Sequence, residues 1–517
     1  TTDRIYLYRI GCATVTGHDF IDLNCSKKLN EKAEQVRDQY VQWISELNQL
    51  FVANGLICDN LSTFYLTDLS CKRTEIFDTF SIVVSLLFLK DVLDGEEIKT
   101  IQLVGVNDNF STAIQSVFPT SEIVSKKLRN TDTSRLRIMF SDLRYFAEIC
   151  FIGTFNQLGK SRKSPCEDLI RRCFFSIYPS MLQHDFNDKK YGKLVESGDA
   201  FAVSIVTDGY HQHFGISQYY DLRKKLTKKH IYVVDDYLRL KDCFVGMFWS
   251  VKFLISGRHI VRRKKYFEDI DLTKCIEAEC RISLSRASRL LALTASMRRF
   301  FRHSEIHEFI YYLHEYPIGR MISWVLGMEH PEVKRIGMQH GPASWRKLLY
   351  FLAPSEASTT PPWVSSVPVP DEVFAEDDRS AEIYRYAGYD QVSVLSNIYR
   401  LDYLESINVE RRSNVCLVAP GLHDGKNMLF TMRDVIYGNP EKQFLFKPHP
   451  LSDNKYLAEF EQYSNLQIVE ESIAKLLSIV DSVYVTYSSV GLEARQLGLP
   501  VHVVSVPGVI NQSPLND

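Results

Sequence analysis

Four short segments carry the side chains best placed for chemistry: Lys447-Pro448-His449-Pro450, Tyr487-Ser488-Ser489-Val490-Gly491, Gln339-His340-Gly341-Pro342 and Pro420-Gly421-Leu422-His423-Asp424-Gly425. Each follows a short β-branched or aromatic run and is therefore read as lying just past the carboxyl end of a strand, where open α/β sheets bind their ligands. Ser488 and Ser489 open a helical stretch, where unpaired amides, the positive end of the helix dipole and two hydroxyls suit a phosphate. A plain serine cap is the alternative for one isolated serine. Gly491, which permits close approach of a ligand, and the Lys-Pro-His-Pro turn on a strand of the same sheet weigh toward the anion. The prolines fix the backbone around His449 and make its imidazole a preorganised reader of a base, ribose or phosphate. Gly421, His423 and His340 occupy equivalent strand-end positions.

The elements that must position these residues are clearest in the last 110 residues. Strands are expected over 414–419, 443–447, 466–469, 482–486 and 501–506, with helices over 425–437, 454–463, 473–480 and 490–497. Five strands alternating with four helices imply a parallel, doubly wound sheet. Further strands are expected over 4–9, 100–106, 201–207, 230–234, 309–313, 334–338, 372–375 and 391–395, several of them followed by helical stretches. The fold class is therefore α/β, with two Rossmann-like lobes whose parallel sheets face a central cleft. Residues 1–408 form the N-terminal lobe, with a basic, mostly helical insertion at about 221–305, and residues 409–517 form the C-terminal, ligand-binding lobe. The proline-rich stretch 354–370 is expected to be an ordered loop.

Composition narrows the function classes. Of 517 residues, 45% are hydrophobic and 24% charged, which fits a folded chain and not a disordered one. With 61 basic against 63 acidic residues, no surface-wide affinity for nucleic acid is expected. The eleven cysteines are scattered without a CxxC pair, so reduced thiols are expected, and neither a structural zinc site nor a disulfide framework. The N-terminal Thr-Thr-Asp-Arg lacks the charged-then-apolar pattern of an export signal, which points to a cytoplasmic protein. The apolar runs 79–89, 145–155 and 244–256 fall short of the roughly 18 residues that span a bilayer. Residues 221–265, by contrast, hold thirteen Lys or Arg against four Asp or Glu, beside Phe244, Met247, Phe248, Trp249 and Phe253. This stretch reads either as a contact for anionic lipid at the inner face of the inner membrane, or as a solvated helical face over core aromatics. GxGxxG and GxxxxGK[ST] are both absent, which removes the main support for dinucleotide oxidoreductase and P-loop kinase readings.

The stretch FKPHP, followed some forty residues later by TYSSVGLEARQLGLPV, resembles the C-terminal lobe of GT-B glycosyltransferases that use CMP-activated sugars, namely bacterial sialyltransferases and capsular Kdo transferases. Together with RIGMQHG and DEVFAEDDRSAEIYRYAGYDQVSVLS, it is similar to bacterial surface-carbohydrate (capsule or O-antigen) biosynthesis proteins of that clan, which also touches the CDP-glycerol glycerophosphotransferases. The resemblance covers roughly residues 310–517. It implies that His449, Pro450, Ser488 and Ser489 hold the CMP portion of the donor, that Glu493 binds a ribose hydroxyl, and that Lys447 and Arg495 help neutralise donor charge. It also implies a catalytic carboxylate from the N-terminal lobe. Glu315, fixed before Pro317 at a strand-to-helix turn, is preferred, with Asp208 as the alternative, and His340 would reach the donor carboxylate or phosphate.

The function implied is transfer of a Kdo-like or nonulosonic acid sugar from a CMP donor to a lipid-linked or oligosaccharide acceptor of lipopolysaccharide or capsule, with no metal and no cofactor beyond the donor itself. A UDP- or GDP-sugar transferase, or a CDP-polyol phosphotransferase, on the same two lobes is the alternative enzyme. A non-catalytic assembly protein at the membrane surface is the alternative outside catalysis.

Overall fold

The computed structural model of the chain describes residues 5–11, 20–127, 135–158, 169–178, 182, 188, 190–208, 219, 231–395, 402–449, 452 and 454–516. Its α/β architecture rests on wholly parallel sheets. The C-terminal sheet runs in the order Leu466–Ile468, Gln443–Phe446, Val415–Ala419, Ser482–Val485, Val501–Val503. Its central strand, VCLVA, is buried throughout, as a strand covered on both faces must be. Successive residues feed opposite cores: Leu417 and Ala419 pack with Val483, Leu477 and Leu404, whereas Cys416 and Val418 pack with Phe444, Met428 and Phe460. Chain order along this sheet reverses between Val415–Ala419 and Ser482–Val485, so that the loops leaving those two strands diverge and leave a crevice. The C-terminal core takes in Leu404, so this lobe begins a few residues before the expected boundary at 409.

The second Rossmann-like lobe is a seven-stranded sheet in the order Val392–Val394, Glu372–Ala375, Lys334–Met338, Ile306–Tyr312, Ile170–Ile177, Ala200–Ser204, Ile231–Val233. Its switch point lies between Ile306–Tyr312 and Ile170–Ile177. The expected basic insertion is corrected here. Helices Leu240–Arg262 and Thr273–Arg302 carry the chain from the edge strand Ile231–Val233 back to the middle of the sheet, and the longer of them is buried along most of its length. They are the crossover of the fold rather than an appendage to it. Residues 221–230, with Arg223, Lys224, Lys225, Lys228 and Lys229, lie outside the described residues.

Residues 1–408 also hold a sheet that the single-lobe expectation did not contain. Phe20–Asp22, Ile5–Arg9, Thr100–Val106 and Glu122–Lys127 form four parallel strands in that order. One continuous core, from Tyr6 to Tyr389, joins this sheet to the seven-stranded one.

All three sheets bring carboxyl ends to one seam. Gly11, just past Ile5–Arg9, donates its amide to the carbonyl of Pro507 at 2.9 Å. The chain beyond the last strand then crosses back over the N-terminal unit. The Asn511 amide donates to Asn30 Oδ1 (2.9 Å), Arg346 Nε donates to the Asn511 carbonyl (2.5 Å), and Gln512 Nε2 donates to Thr74 Oγ1 (2.8 Å).

The turn out of Ile306–Tyr312 is tight. Leu313 has φ +63°, Pro317 opens the helix Pro317–Glu329, and a β carbon on Gly319 would stand 2.1 Å from the Leu313 carbonyl oxygen and 2.4 Å from His314 Cα. Backbone cannot yield as a flexible side chain does, so Gly319→Ala is expected to cost at least the roughly 1–3 kcal/mol of an overpacked core. Thermal denaturation of the two proteins checks this, and an unchanged midpoint would contradict the packing described.

Candidate active site

At the C-terminal switch point the loop 420–425 is pressed between two tyrosines. A β carbon on Gly421 would meet the Tyr487 ring at 2.4 Å, and one on Gly425 would meet Tyr456 Oη at 2.5 Å. The Gly421 amide donates to Thr486 Oγ1 (3.4 Å) and the His423 amide to Tyr487 Oη (3.3 Å). The loop is thus fixed by its neighbours, with the His423 side chain left exposed. Beside it opens a cavity of about 530 Å³ lined by Leu422, His423, Gly425, Lys426, Ser452, Lys455, Tyr456 and Glu459. That volume lies within the roughly 300–1,000 Å³ of small-molecule sites. The lining offers two ammonium groups and an imidazole against one carboxylate, with a tyrosine ring for stacking.

His449 lies at the turn closed by Ser452, whose amide and hydroxyl both donate to the His449 carbonyl, at 2.9 and 2.7 Å. The turn therefore delivers Ser452 to the cavity. Burial holds the His449 imidazole below its ordinary value, and nearby His423 pushes it further in that direction. His423, open to solvent on one side and covered on the other, is lowered by that partial burial, with Glu75 pulling it up and Arg73 pushing it down. Both imidazoles are therefore neutral near pH 7, able to donate from one nitrogen and accept at the other.

Glu75 and Arg73 belong to the polar run 67–78, which crosses the seam opposite the cavity. Residues 67–73 are buried despite their composition, and Thr74, Glu75, Ile76 and Asp78 are half-buried. Asp68 is fully buried, and its two oxygens accept from Arg73 Nη1 and Arg286 Nη1, each at 2.7 Å. Burial alone would raise the Asp68 carboxyl, but the guanidinium groups of Arg286 and Arg73 together hold it below its ordinary value. Lys72, with φ +53°, donates Nζ to the Ser70 carbonyl (3.0 Å), while Arg320 Nη1 donates to the Ser70 hydroxyl (2.8 Å). The Arg73 guanidinium lies over the Tyr316 ring at 4.6 Å, and Tyr316 meets His340 edge to face at 6.0 Å. Neither oxygen of Glu75 accepts a hydrogen bond among the described residues; Arg73 Nε lies 3.9 Å from it as an ion-pair partner. The Glu75 carboxylate acts on His423 of the other lobe, which it pulls upward.

No family model and no curated protein matches the chain. Solved structures do. Phytolacca americana UGT2 complexed with UDP-2fluoro-glucose and pterostilbene is 10% identical, covering 68% of this chain and 83% of its own, with a TM-score of 0.36. UDP-GlcNAc 2-epimerase from Neisseria meningitidis bound to UDP-GlcNAc is 12% identical over 65% and 82%, with a TM-score of 0.35. The wall teichoic acid polymerase TagF is 11% identical over 72% and 80%, with a TM-score of 0.28.

The expected site residues divide. His423 lines the cavity, and His449 builds the turn that supplies Ser452. His340 stands past Lys334–Met338 among Tyr312 and Tyr316. Gly421 serves the packing of Tyr487, and Gly491 that of Leu515 and Val485. Ser488 and Ser489 do not line this cavity. The Ser488 hydroxyl accepts from the Val490 amide (3.4 Å), the Ser489 hydroxyl donates to Glu493 (3.4 Å), and the helix that they open, Val490–Gln496, has seven residues. Glu493 is 5% exposed and accepts from Tyr403, so it clamps the lobe's first turn instead of presenting a carboxylate to a ribose. Lys447 donates Nζ to the Glu470 carbonyl (2.7 Å), which occupies it away from the cavity. Pro450 lies outside the described residues.

Both expected catalytic carboxylates are corrected. Glu315 stands at the strand-to-helix turn as expected, but its side chain is sealed from solvent. It accepts from Tyr384 and lies 3.4 Å from His314 Nε2, where an acceptor hydroxyl cannot reach it. Asp208 is 1% exposed, with its carbonyl accepting from Arg289. Sequence reasoning passed over 67–78 because a polar run between the apolar stretches 61–66 and 79–89 looks like a solvated loop. Its one local sign is the density of Asp, Lys, Arg and Glu within eight residues, 68–75.

The run depends on Asp68. Asp68→Asn would leave two guanidinium groups facing an amide in a dry site, an expected cost of about 3–5 kcal/mol. Urea denaturation would show it, whereas a loss below 1 kcal/mol would mean that water already reaches the cluster.

Proposed function

We propose that the chain is a glycosyltransferase that moves a Kdo-like or nonulosonic acid sugar from a CMP-activated donor to a hydroxyl of a bacterial surface glycan. The observation that carries this reading is the pairing, across one seam, of a cationic cavity at the C-terminal switch point with the Glu75 carboxylate, which accepts no hydrogen bond among the described residues. In this reading Lys426, Lys455 and His423 receive the donor phosphate, Tyr456 stacks on the base, and His340 faces the carboxylate that such sugars carry. Glu75 takes the proton of the acceptor hydroxyl as its oxygen attacks the anomeric carbon. The sugar–phosphate bond breaks, and CMP leaves with its charge held by the two lysines.

One observation favours a second reading. The cavity offers two separate ammonium groups, one for each phosphate of a UDP- or GDP-sugar or of a CDP-polyol.

A thermal-shift panel of CMP, CDP, UDP, UMP and GDP separates these. CMP is expected to stabilise the protein most, and preference for UDP or CDP would move the assignment to the second reading. Lys426→Ala with Lys455→Ala is expected to weaken nucleotide binding about tenfold or more, from the loss of charge-assisted hydrogen bonds. Glu75→Gln is expected to bind nucleotide normally and lose about two or more orders of magnitude in turnover. Near-normal turnover in Glu75→Gln would remove it from the chemistry.

A further inference from the structure

Helices Arg135–Leu158 and Leu240–Arg262 are apolar on faces that should be polar. Their inner sides are in the core. Tyr145, Phe146, Ile149 and Ile152 of the first helix and Trp249 and Phe253 of the second are buried, and a β carbon on Gly246 would stand 2.4 Å from the Phe146 ring. On the outer side of the second helix, Phe244, Met247, Phe248, Val251, Leu254 and Ile255 are 42–65% exposed. Beside them, Phe140, Leu143, Phe151 and Leu158 of the first are 47–81% exposed. Surface helices ordinarily carry one apolar stripe, and contiguous exposed apolar faces mark contact sites.

The charge pattern says what this face contacts. The two helices hold three carboxylates, and each is turned inward or neutralised: Asp142 by Arg289, Glu148 by Arg144, and Asp242, buried, by Arg299. Cations are exposed instead. Lys241 stands at one end of the apolar ridge, and Arg258, Arg262, Arg263 and Lys264 crowd the other. Lys265 is the exception, buried and donating Nζ to the carbonyls of Ile260, Val261 and Arg263 as a helix cap. Among the described residues no helix is long and apolar enough to cross a membrane. The helix Leu240–Arg262 that carries the ridge, about 35 Å long at 1.5 Å per residue, has the composition of one that lies in an interface.

We infer that this two-helix face seats the protein on an anionic phospholipid surface, with the aromatic and aliphatic side chains entering the headgroup boundary and the Arg258–Lys264 cluster on lipid phosphates. A second copy of the chain is the poorer occupant, because the same face would bring cations against cations with no exposed carboxylate of these helices to meet them. The inference is independent of the donor reading.

Co-sedimentation of the full chain with vesicles tests it. The protein is expected to pellet with vesicles of phosphatidylcholine mixed with phosphatidylglycerol and far less with phosphatidylcholine alone. Because apolar insertion adds to charge, high salt should weaken the binding without abolishing it. Phe248→Glu with Leu254→Glu should reduce binding about tenfold or more, and Arg262→Glu with Arg263→Glu should abolish the preference for the anionic lipid. Both are surface changes expected to leave the melting temperature unmoved. Failure to pellet with anionic vesicles at low salt would overturn the inference. So would undiminished binding by the Phe248/Leu254 variant, or a concentration-dependent dimer that this variant dissolves.

Discussion

Asp68 between Arg73 and Arg286 is the constraint on which the site rests. A carboxylate with no solvent exposure must be repaid by close, directional cations, and here two guanidinium groups from different parts of the chain supply them. The consequence is geometric. Once Arg73 is held by Asp68 and laid over Tyr316, Glu75 two residues later has little freedom, and it comes to rest against the C-terminal lobe. The same anchoring ties the polar run to helix Thr273–Arg302, which supplies Arg286, and to helix Pro317–Glu329, which supplies the Arg320 contact to Ser70. The seam is thus set by helices that belong to the seven-stranded sheet. The C-terminal sheet contributes the cavity, and the crossing tail around Asn511 and Gln512 holds the two together.

This arrangement explains how neutral imidazoles and a covered carboxylate come to face each other. Burial disfavours charge on His423 and His449, while Glu75 accepts no hydrogen bond among the described residues. Such a site is poorly satisfied by its own groups and becomes better satisfied when a ligand supplies hydroxyls and a phosphate. The fold provides stability elsewhere, in the continuous core of the N-terminal unit and in the two layers that cover the C-terminal sheet.

Much of this was legible in sequence where burial and periodicity agree. The C-terminal strands were, because VCLVA, QFLF and SVYV are short apolar runs punctuated by helical stretches. Ile170–Ile177 was missed although it is a central strand. Its opening Ile-Arg-Arg looks polar, and the pairing of Arg172 with Asp199 at 2.6 Å and Glu196 at 3.1 Å neutralises that end of the strand. The separate four-stranded sheet was missed because Phe20–Asp22 and Glu122–Lys127 are short or polar edge strands. At the site, the strand-end placement of His423 and His449 was legible, because topology alone dictates it. Glu75 was not, since its role depends on the Asp68 cluster, a contact between residues more than two hundred positions apart. Glu315 was over-read for the opposite reason: the turn was correctly located, but sequence does not show Tyr384 and His314 closing over it.

If the 420–426 loop, the segment from Ser452 to Glu459 and the run 67–78 form one ligand site across the seam, amide hydrogen exchange with and without CMP measures it directly. The nucleotide is then expected to slow exchange in all three segments together, including the run 67–78 on the far side of the seam. Protection confined to the Val490–Gln496 helix and its serines, or absent from 67–78, would contradict it.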